Sequence, residues 1–409
     1  MHIVITPFGS RGDVQPLLAL GAGLRARGHA VTFGAAPNYR GWIEESGFRF
    51  REIGGDFEPW LKRQDTGTPF SLLAGLARYV RKEVPLCFRQ TCDAVRDADL
   101  VVTTTHIAAH SAAEAAGVPC RTVLYTAQLL PSRFHPPLAV PGQDLPAWLN
   151  RALWWSLARL FDLLFKGPVN RERANLGLAP VPEFLSHARG ASPIVASDRE
   201  FAPIAPDVPP GPAQTGAMTL PVSGTLEPPI EAFLRAGDPP VYIGFGSMPD
   251  RTPEKTMRMV LDAVRASGRR AIVCAGWAGP DGTDIPPEIL AIREAPHALL
   301  FPRVAAAVHH GGAGTTAAAA RAGVPQVVVP HLGDQFFHGR RVRDLGIGPA
   351  PIPRSRLNAS RLASAIREAL TTPRIQERAR SLAENLRKVD GVGAAVEVLL
   401  AGTRGEERT

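Results

Sequence analysis

Short apolar segments alternate with amphipathic segments at the start of the chain, and the same alternation begins again near residue 240. "HIVITPF", "HAVTFGAAP", "ADLVVTTTH" and "CRTVLYT" have the composition of buried strands, and "VQPLLALGAGLRARG" has that of a helix. "PVYIGFGSM", "RAIVCAG" and "PQVVVPH" repeat the pattern in the second half. Continuously apolar strands separated by helices are typical of a parallel sheet with helices on both faces. The sequence therefore predicts an α/β fold with two doubly wound units.

A proline-dense segment, residues 201–240, lies between the two units. Its prolines make it a poor helix or central strand and a suitable interdomain linker. A chain of 409 residues is also long enough for about two domains. We expect one domain over residues 1–215 and a second over residues 216–390, with a cleft between them.

Composition narrows the function classes. The net charge of +8 suits nucleic acid, an anionic lipid or an anionic small substrate. The arginines are scattered, however, and no basic run carries interleaved aromatic residues, which argues against nucleic-acid binding. No transmembrane run and no signal peptide are predicted. The four cysteines show no metal-ligand spacing, so we expect a reduced, cytoplasmic protein without a bound metal.

A glycine-rich turn, "GGAGTTAAAARAG", leads from the predicted strand "AAAVHH" into a helix. The N terminus of a helix at a strand end offers free N–H groups and a positive dipole end, which suit a phosphate. Gly312 and Gly314 permit close approach of an oxygen, Thr315 offers a hydroxyl, and His310 can donate to the same anion. The alternative is a turn that only connects strand and helix, with His309 packed inside. The pattern alone weighs the two equally.

Other polar residues follow other predicted strands. Asp334 and Gln335 can hydrogen-bond adjacent hydroxyls of a sugar, but Asp is also a common helix N-cap. Asp13 stands where the first strand meets its helix, and its alternative role is again an N-cap. Ser247 ends the first strand of the second unit, and by itself it is a weak indicator.

Two aromatic-rich excursions, residues 57–96 and 128–178, interrupt the first unit and are suitable places for specificity loops. Three roles are open for Trp154 and Trp155: they line an apolar pocket, they lie on a membrane, or they pack into the domain core. Core packing receives about half the weight among these alternatives. His106 has a histidine four residues later but lacks the glutamate of a zinc motif. We therefore expect a structural role for it, with orientation of a base as the second candidate role.

Taken in order, "GSRGDVQPLLALG", "VYIGFGSM", "APHALLFPRVAAAVHHGGAGTTAAAARAGVP" and "GDQ" resemble one family. It is the family 1 nucleotide-sugar glycosyltransferases of the GT-B fold, in particular the branch of sterol glucosyltransferases and vancomycin-type antibiotic glycosyltransferases. The resemblance covers nearly the whole chain and is weakest in the two excursions. It implies two Rossmann-like domains facing a central cleft, with the acceptor on the first and the donor on the second. A C-terminal helix near residues 391–401 would pack back on the first domain.

The resemblance also implies roles for individual residues. Asp13 matches the position of the catalytic base. The donor-binding positions that it implies are Ser247, Ala295, His310, Gly312, Gly314, Thr315, Asp334 and Gln335. In this scheme His310 and the glycine turn hold the diphosphate, with Ser247 beside it, and Asp334 and Gln335 hold the sugar. Backbone groups around Ala295 contact the nucleobase, and the weakest assignments are Trp154, Trp155 and His106 on the acceptor.

The activity that the resemblance implies is an inverting, metal-independent transfer of a hexose from a UDP- or dTDP-sugar. The acceptor would be a hydroxyl of a lipophilic molecule such as a sterol, a macrolide or another polyketide. Plant members carry His where Asp13 stands. They also carry a ribose-binding Glu near the position of Ala318, and its absence here leaves thymidine-linked donors open. The alternatives are a non-catalytic nucleotide-sugar or lipid-binding protein of the same fold, and a nucleotide-sugar epimerase. We expect a monomer or weak dimer, with peripheral membrane contact as an open alternative.

Overall fold

Two separate parallel β-sheets, one of seven strands and one of five, form the framework of the chain. A computed structural model describes residues 1–9, 11–55, 69–138, 140–220, 224–246, 248, 252–274 and 285–406, apart from the side chains of residues 69–81 and 402–406. The two sheets confirm the predicted α/β fold with two Rossmann-like units.

The seven-stranded sheet is built from the first half of the chain. Its strands are β1 (His2–Thr6), β2 (Ala30–Ala35), β3 (Arg49–Glu52), β4 (Leu100–Thr103), β5 (Cys120–Leu124), β6 (Ile194–Val195) and β7 (Ala213–Gln214). They lie in the order β3-β2-β1-β4-β5-β6-β7, and all neighbours are parallel. The chain moves outward from β1 to β3 and then returns to β4 beside β1. The strand order therefore reverses between β1 and β4.

The five-stranded sheet repeats this design. Its strands are β8 (Val241–Gly244), β9 (Ala271–Cys274), β10 (Ile289–Ile292), β11 (Ala306–His309) and β12 (Gln326–Val328). They lie in the parallel order β10-β9-β8-β11-β12, so the reversal falls between β8 and β11. Ligands of open parallel sheets bind beyond the carboxyl ends of the strands at such a reversal. Each sheet thus offers one candidate binding edge.

Helices connect the strands. They are α1 (Arg11–Ala26), α2 (Arg40–Glu45), α3 (Pro69–Val95), α4 (Ala109–Ala116), α5 (Ala147–Phe161), α6 (Gly167–Asn175), α7 (Phe184–Arg189), α8 (Pro228–Arg235), α9 (Pro253–Ser267), α10 (His297–Leu300), α11 (Ala313–Ala322), α12 (Gln335–Leu345), α13 (Ala359–Thr371), α14 (Pro373–Leu386) and α15 (Gly391–Glu406). A π-helical turn, Asp162–Lys166, joins α5 to α6. Among the residues that the structure describes, no helix is both long and apolar enough to cross a membrane.

The last helix, α15, packs on the seven-stranded sheet although it follows the other sheet in the chain. Its residues Ala395, Val396 and Leu399 are buried in the same apolar cluster as Ile3 of β1 and Leu17 of α1. Burial of these side chains removes apolar surface from water, which is the main favourable contribution to such packing. The C-terminal helix therefore ties the two halves of the chain together.

The proline-dense segment contains more regular structure than its composition indicates. The edge strand β7 and the helix α8 both lie within residues 201–240. Pro228 and Pro229 occupy the first turn of α8, where a backbone N–H has no intrahelical partner, so the helix tolerates both prolines. The expectation of a poor helix was therefore wrong for Pro228–Arg235.

Candidate active site

His310 follows β11 directly and lies at the strand reversal of the five-stranded sheet. Its ring is enclosed by two glycines: a methyl group added at Gly312 would lie 2.5 Å from Nε2, and one added at Gly246 would lie 3.1 Å from Cε1. Gly246 follows β8 and Gly312 precedes α11, so the ring fills the space between the two strand ends. Only glycine at position 312 leaves room for this ring orientation.

The Nδ1 atom of His310 is buried and has no hydrogen-bond partner within the described part of the chain. Burial, and after it His331, His297 and His338, lowers the pKa of His310 to about 4. The imidazole is therefore neutral near pH 7 and has one N–H to donate. A buried polar atom without a described partner, at the strand reversal of a parallel sheet, is a candidate contact for a ligand.

The neighbouring residue His309 has a structural role. It is fully buried at the end of β11, and its Nε2 lies 2.9 Å from Gln326 Oε1. Its Nδ1 accepts the backbone N–H of Gly311 at 3.1 Å, which leaves the ring proton on Nε2. The two adjacent histidines thus differ, since both ring nitrogens of His309 have partners and the Nδ1 of His310 has none among the described residues.

The N terminus of α11 opens toward the same edge. The helix begins at Ala313, and its N-cap Gly312 forms no side-chain cap hydrogen bond. The first N–H groups of a helix have no intrahelical partner, so these groups can donate to an anion. Thr316 Oγ1 donates to the Gly312 carbonyl at 2.8 Å and is used within the helix. Gly314 is exposed and Thr315 is half-buried in this first turn.

Asp334 and Gln335 follow β12, the next strand of the same sheet. The Asp334 side chain makes no cap hydrogen bond to α12, and its Oδ2 lies 3.6 Å from His338 Nδ1. Burial raises the pKa of Asp334, while His338 opposes this shift. The buried Gln335 accepts the backbone N–H groups of His331 and Leu332 through Oε1, at 2.8 and 3.1 Å. Gln335 therefore holds the turn that presents Asp334.

Ala295 lies half-buried in the loop between β10 and α10. The loop is fixed by His297, whose Nε2 lies 3.1 Å from Tyr242 Oη and whose ring stacks on Phe301 with 4.3 Å between centroids. Backbone groups of this loop are thereby held beside the end of β8. Ser247, the remaining predicted donor-binding residue, lies outside the described residues.

Asp13 lies at the strand reversal of the other, seven-stranded sheet. Helix α1 begins at Arg11, so Asp13 is its third residue rather than its N-cap. A methyl group added at Gly9 would collide with the Asp13 carboxylate, which therefore lies over the turn leaving β1. The Tyr125 hydroxyl donates to the backbone oxygen of Asp13 at 2.5 Å. Tyr125 follows β5, so the end of β5 anchors the first turn of α1, which carries the Asp13 carboxylate.

Tyr125 was not identified from the sequence. Burial, and then the charge of Asp13, raises the pKa of Tyr125 well above its ordinary value, so the phenol stays protonated and keeps donating. The available signal was its position, since it comes directly after the apolar strand "CRTVL" at a ligand-binding edge.

His106 follows β4 at the same reversal as Asp13. It is buried, and its Nδ1 accepts the backbone N–H of Ala108 at 3.1 Å. Burial, followed by His110, lowers the pKa of His106 to about 4, so the ring is neutral near pH 7. The ring packs edge-on against Phe8, with 5.4 Å between centroids.

Trp154 and Trp155 have different environments on α5. Trp154 is buried, and its indole N–H donates to the backbone oxygen of His135 at 3.1 Å. Trp155 is 67% exposed. The structure therefore does not bring the two rings onto one surface.

Contacts between the excursion after β5 and helix α12 were also missed. Arg343 donates to both carboxylate oxygens of Asp144, at 3.0 and 3.1 Å, and Arg340 Nε lies 3.2 Å from the same carboxylate. The His135 ring packs on Phe337 with 5.8 Å between centroids. These contacts attach the excursion to the helix that begins at Gln335. Asp144 and Arg343 are 199 positions apart in the sequence. No local sequence pattern predicts the pairing of two surface charges at such a separation.

The polar groups at the five-stranded edge suit a phosphate and a sugar. Within the described ranges, no group of three His, Cys, Asp or Glu side chains is arranged to hold a metal ion. The donors present are an imidazole N–H and helix N–H groups, which bind anions. The carboxylate of Asp334 and the amide of Gln335 follow β12, which is the strand next to the one that His310 follows.

Known proteins share this arrangement of sequence and fold. The model of the glycosyltransferase family 28 N-terminal domain matches residues 3–127, and that of the erythromycin biosynthesis protein CIII-like C-terminal domain matches residues 258–389. Glycosyltransferase GtfE from Amycolatopsis orientalis is 37% identical over 100% of this chain and 99% of its own length. A sterol 3-beta-glucosyltransferase of Arabidopsis thaliana is 33% identical over 97% of this chain and 67% of its own. The structure of glycosyltransferase VinC in complex with dTDP has a TM-score of 0.73 at 20% identity, covering 99% of this chain and 100% of that one.

Proposed function

Because this chain belongs to the glycosyltransferase family that includes vancomycin-type and sterol-type enzymes, we propose that its two sheet edges bind a nucleotide-sugar and a lipophilic acceptor. A hexose passes from the nucleotide-sugar to a hydroxyl of the acceptor. Full-length identity to glycosyltransferases favours this activity over a non-catalytic binding protein of the same fold. The acceptor belongs to the domain of residues 1–215, and the donor to that of residues 216–390.

The donor assignment rests on His310. Its buried Nδ1 has no partner among the described residues, and it lies beside the uncapped N terminus of α11. A nucleoside diphosphate supplies acceptor oxygens at this place, with Gly312, Gly314 and Thr315 around it. Asp334 and Gln335 bind the sugar hydroxyls, while Ser247 and the backbone at Ala295 complete the donor site. A dTDP complex of the structural neighbour VinC supports a dTDP- or UDP-linked donor.

The reaction is a single displacement at the anomeric carbon. The acceptor oxygen forms a bond to this carbon as the bond to the diphosphate oxygen breaks, so the configuration inverts. Negative charge grows on the leaving diphosphate, and the His310 N–H and the end of α11 stabilise it without a metal ion. Asp13 takes the proton of the acceptor hydroxyl. A carboxylate is a weak base, so this proton leaves late, as the new bond forms.

The decisive experiment incubates the protein with UDP- and dTDP-sugars and a panel of sterol, macrolide and phenolic acceptors. Product is detected by mass, and EDTA should leave turnover unchanged. Nucleotide binding without any glycoside would support the binding-protein alternative. Strict dependence on a divalent ion would contradict the proposed role of His310.

Access to a membrane-held acceptor is supported by one face of α5. Trp148 and Trp155 are exposed on α5, and Leu163 is exposed on the π-helical turn that follows it, beside the exposed Arg151 and Arg159. Aromatic and apolar side chains flanked by cations suit an anionic lipid surface, on which a monomer or weak dimer would act from the cytoplasm. The protein should sediment with anionic vesicles and not with neutral ones, and W148S/W155S should abolish this. Equal sedimentation of the double variant would exclude this face.

A further inference from the structure

Phe8 is held rigidly at the end of β1. Its backbone N–H donates to Thr104 Oγ1 at 2.9 Å, and Thr104 Oγ1 donates back to the Phe8 carbonyl at 3.3 Å. Thr104 follows β4, so this double hydrogen bond joins the two strand ends at the reversal of the seven-stranded sheet. The backbone of Phe8 is thereby fixed where ligands of such sheets bind.

The ring of Phe8 also has a packing partner within the protein. His106 packs against it edge-on, with 5.4 Å between centroids and 85° between the ring planes. His106 is itself fixed by the N–H of Ala108, and it is only 2% exposed. An edge-to-face pair of this geometry is favourable beyond the area that it buries.

The ring nevertheless remains open to solvent. Phe8 is 37% exposed, and Gly9, which follows it, is the residue that the Asp13 carboxylate covers. Two other aromatic residues of the same half of the chain are engaged within the protein, because Trp154 is buried and the guanidinium of Arg11 lies over Trp42. A rigid, exposed aromatic ring beside a carboxylate provides an apolar contact surface and a proton acceptor at the same edge.

We propose that the Phe8 ring is the surface on which the ring skeleton of the acceptor rests, so that Phe8 selects flat cyclic acceptors over open-chain alcohols. The inference deepens the proposed function and rests on the acceptor binding at this sheet edge. Stacking on Phe8 brings the acceptor hydroxyl to Asp13. His106 is a positioning residue that acts through Phe8.

The experiment measures KM and kcat with 2-naphthol and with 1-octanol as acceptors, together with the Kd for dTDP. In Phe8→Ala, KM for 2-naphthol should rise about tenfold, since an aromatic contact and its buried area are lost, while KM for 1-octanol changes less than about twofold. The Kd for dTDP should not change, because the nucleotide binds the other sheet. Phe8→Leu retains bulk but loses the flat face, so it tests the same point if Phe8→Ala folds poorly.

Leu176→Ala is the matched control. Leu176 is also 37% exposed, and it lies in the turn after α6 near the Arg173–Glu114 pair, which is toward the opposite edge of the sheet. Its KM values should equal those of the wild type. His106→Leu should raise KM for 2-naphthol less than Phe8→Ala, and the double variant should match Phe8→Ala alone, since His106 acts through the ring.

The outcomes separate the two hypotheses. An unchanged KM for 2-naphthol in both Phe8 variants, or equal increases for both acceptors, would overturn the role of Phe8 while the transferase stands. Absence of any glycoside from the wild-type protein with all cyclic and open-chain probes would overturn the proposed acceptor class, and this inference with it. Additive effects in the double variant would remove His106 from the scheme.

Discussion

The two binding edges share one backbone design and carry opposite chemistry. At the β8–β11 reversal, glycine turns and a histidine whose buried Nδ1 has no partner among the described residues face a helix N terminus. At the β1–β4 reversal, threonines join the strand ends, and an exposed phenylalanine and a carboxylate follow them. The first edge suits an anion and the second an apolar molecule with a hydroxyl. In the proposed function, the residues just beyond the strand ends at the reversal decide which ligand each sheet takes.

The largest effect that tests this comparison is expected at the acceptor edge. Asp13→Asn keeps the side-chain shape but removes the proton acceptor, and turnover should fall roughly a hundredfold to ten-thousandfold. Donor affinity should be unchanged, because the proposed donor site lies on the other sheet. Stopped assays of glycoside formation are compared with the melting temperature and the Kd for dTDP. Near-normal turnover would refute the base assignment and make His106 the next candidate.

Variants of Trp154 and Trp155 test whether these rings contribute to core packing or to acceptor binding. Trp154→Ala leaves a cavity and removes the hydrogen bond to His135, so it should cost about 3–5 kcal/mol of stability in urea unfolding. Trp154→Phe should cost less, since most of the ring volume remains. Trp155→Ala should leave stability unchanged, because the ring is exposed. A changed acceptor KM in Trp155→Ala would support its predicted acceptor role.

The donor edge should respond to loss of the His310 N–H. His310→Ala removes a donor aimed at the leaving diphosphate, and such losses cost on the order of 2–4 kcal/mol at the transition state. Turnover should therefore fall roughly a hundredfold or more, with little change in stability. His110→Ala is the matched control, because burial also lowers the pKa of His110 to about 4, but its helix α4 lies on the other sheet. An equal loss of turnover in both variants would argue against a specific role for His310.

The sequence carries more information about the proposed donor edge than about the proposed acceptor edge. Most of the apolar strands were predicted, but β10, "ILAI", was missed, and so were β6 and β7, which have two residues each, and the polar β3, "RFRE". Four of the proposed donor residues, His310, Gly312, Gly314 and Thr315, follow one another in a glycine-rich motif, so their proximity is local and visible in the sequence. Phe8 and Thr104 are 96 positions apart, and Tyr125 and Asp13 are 112 apart. Contacts at such separations depend on strand order, which a single sequence does not show.

The smallest effect is expected at the ion pair between Asp144 of the excursion and the arginines of α12, which links the two edges. Asp144 pairs with Arg340 and Arg343, and Arg343 with its hydrogen bonds lowers the pKa of Asp144. The pair is solvent-exposed, 61% at Asp144 and 40% at Arg343, and exposed pairs contribute at most about 1 kcal/mol. Asp344→Asn is the matched control, because Asp344 pairs with the same arginines within α12 and does not reach the excursion. Both variants should leave the melting temperature nearly unchanged.

If the Asp144 pair positions the acceptor segment against the helix that begins at Gln335, only Asp144→Asn should raise the acceptor KM, by less than about fivefold. The donor Kd should stay constant in both variants, since neither carboxylate lies among the proposed donor contacts. Added salt should reduce the difference in acceptor KM between Asp144→Asn and Asp344→Asn, because salt screens exposed charges. Equal acceptor KM values for Asp144→Asn and Asp344→Asn would show that the two edges work without this link. The reversal of each sheet alone would then position its own ligand.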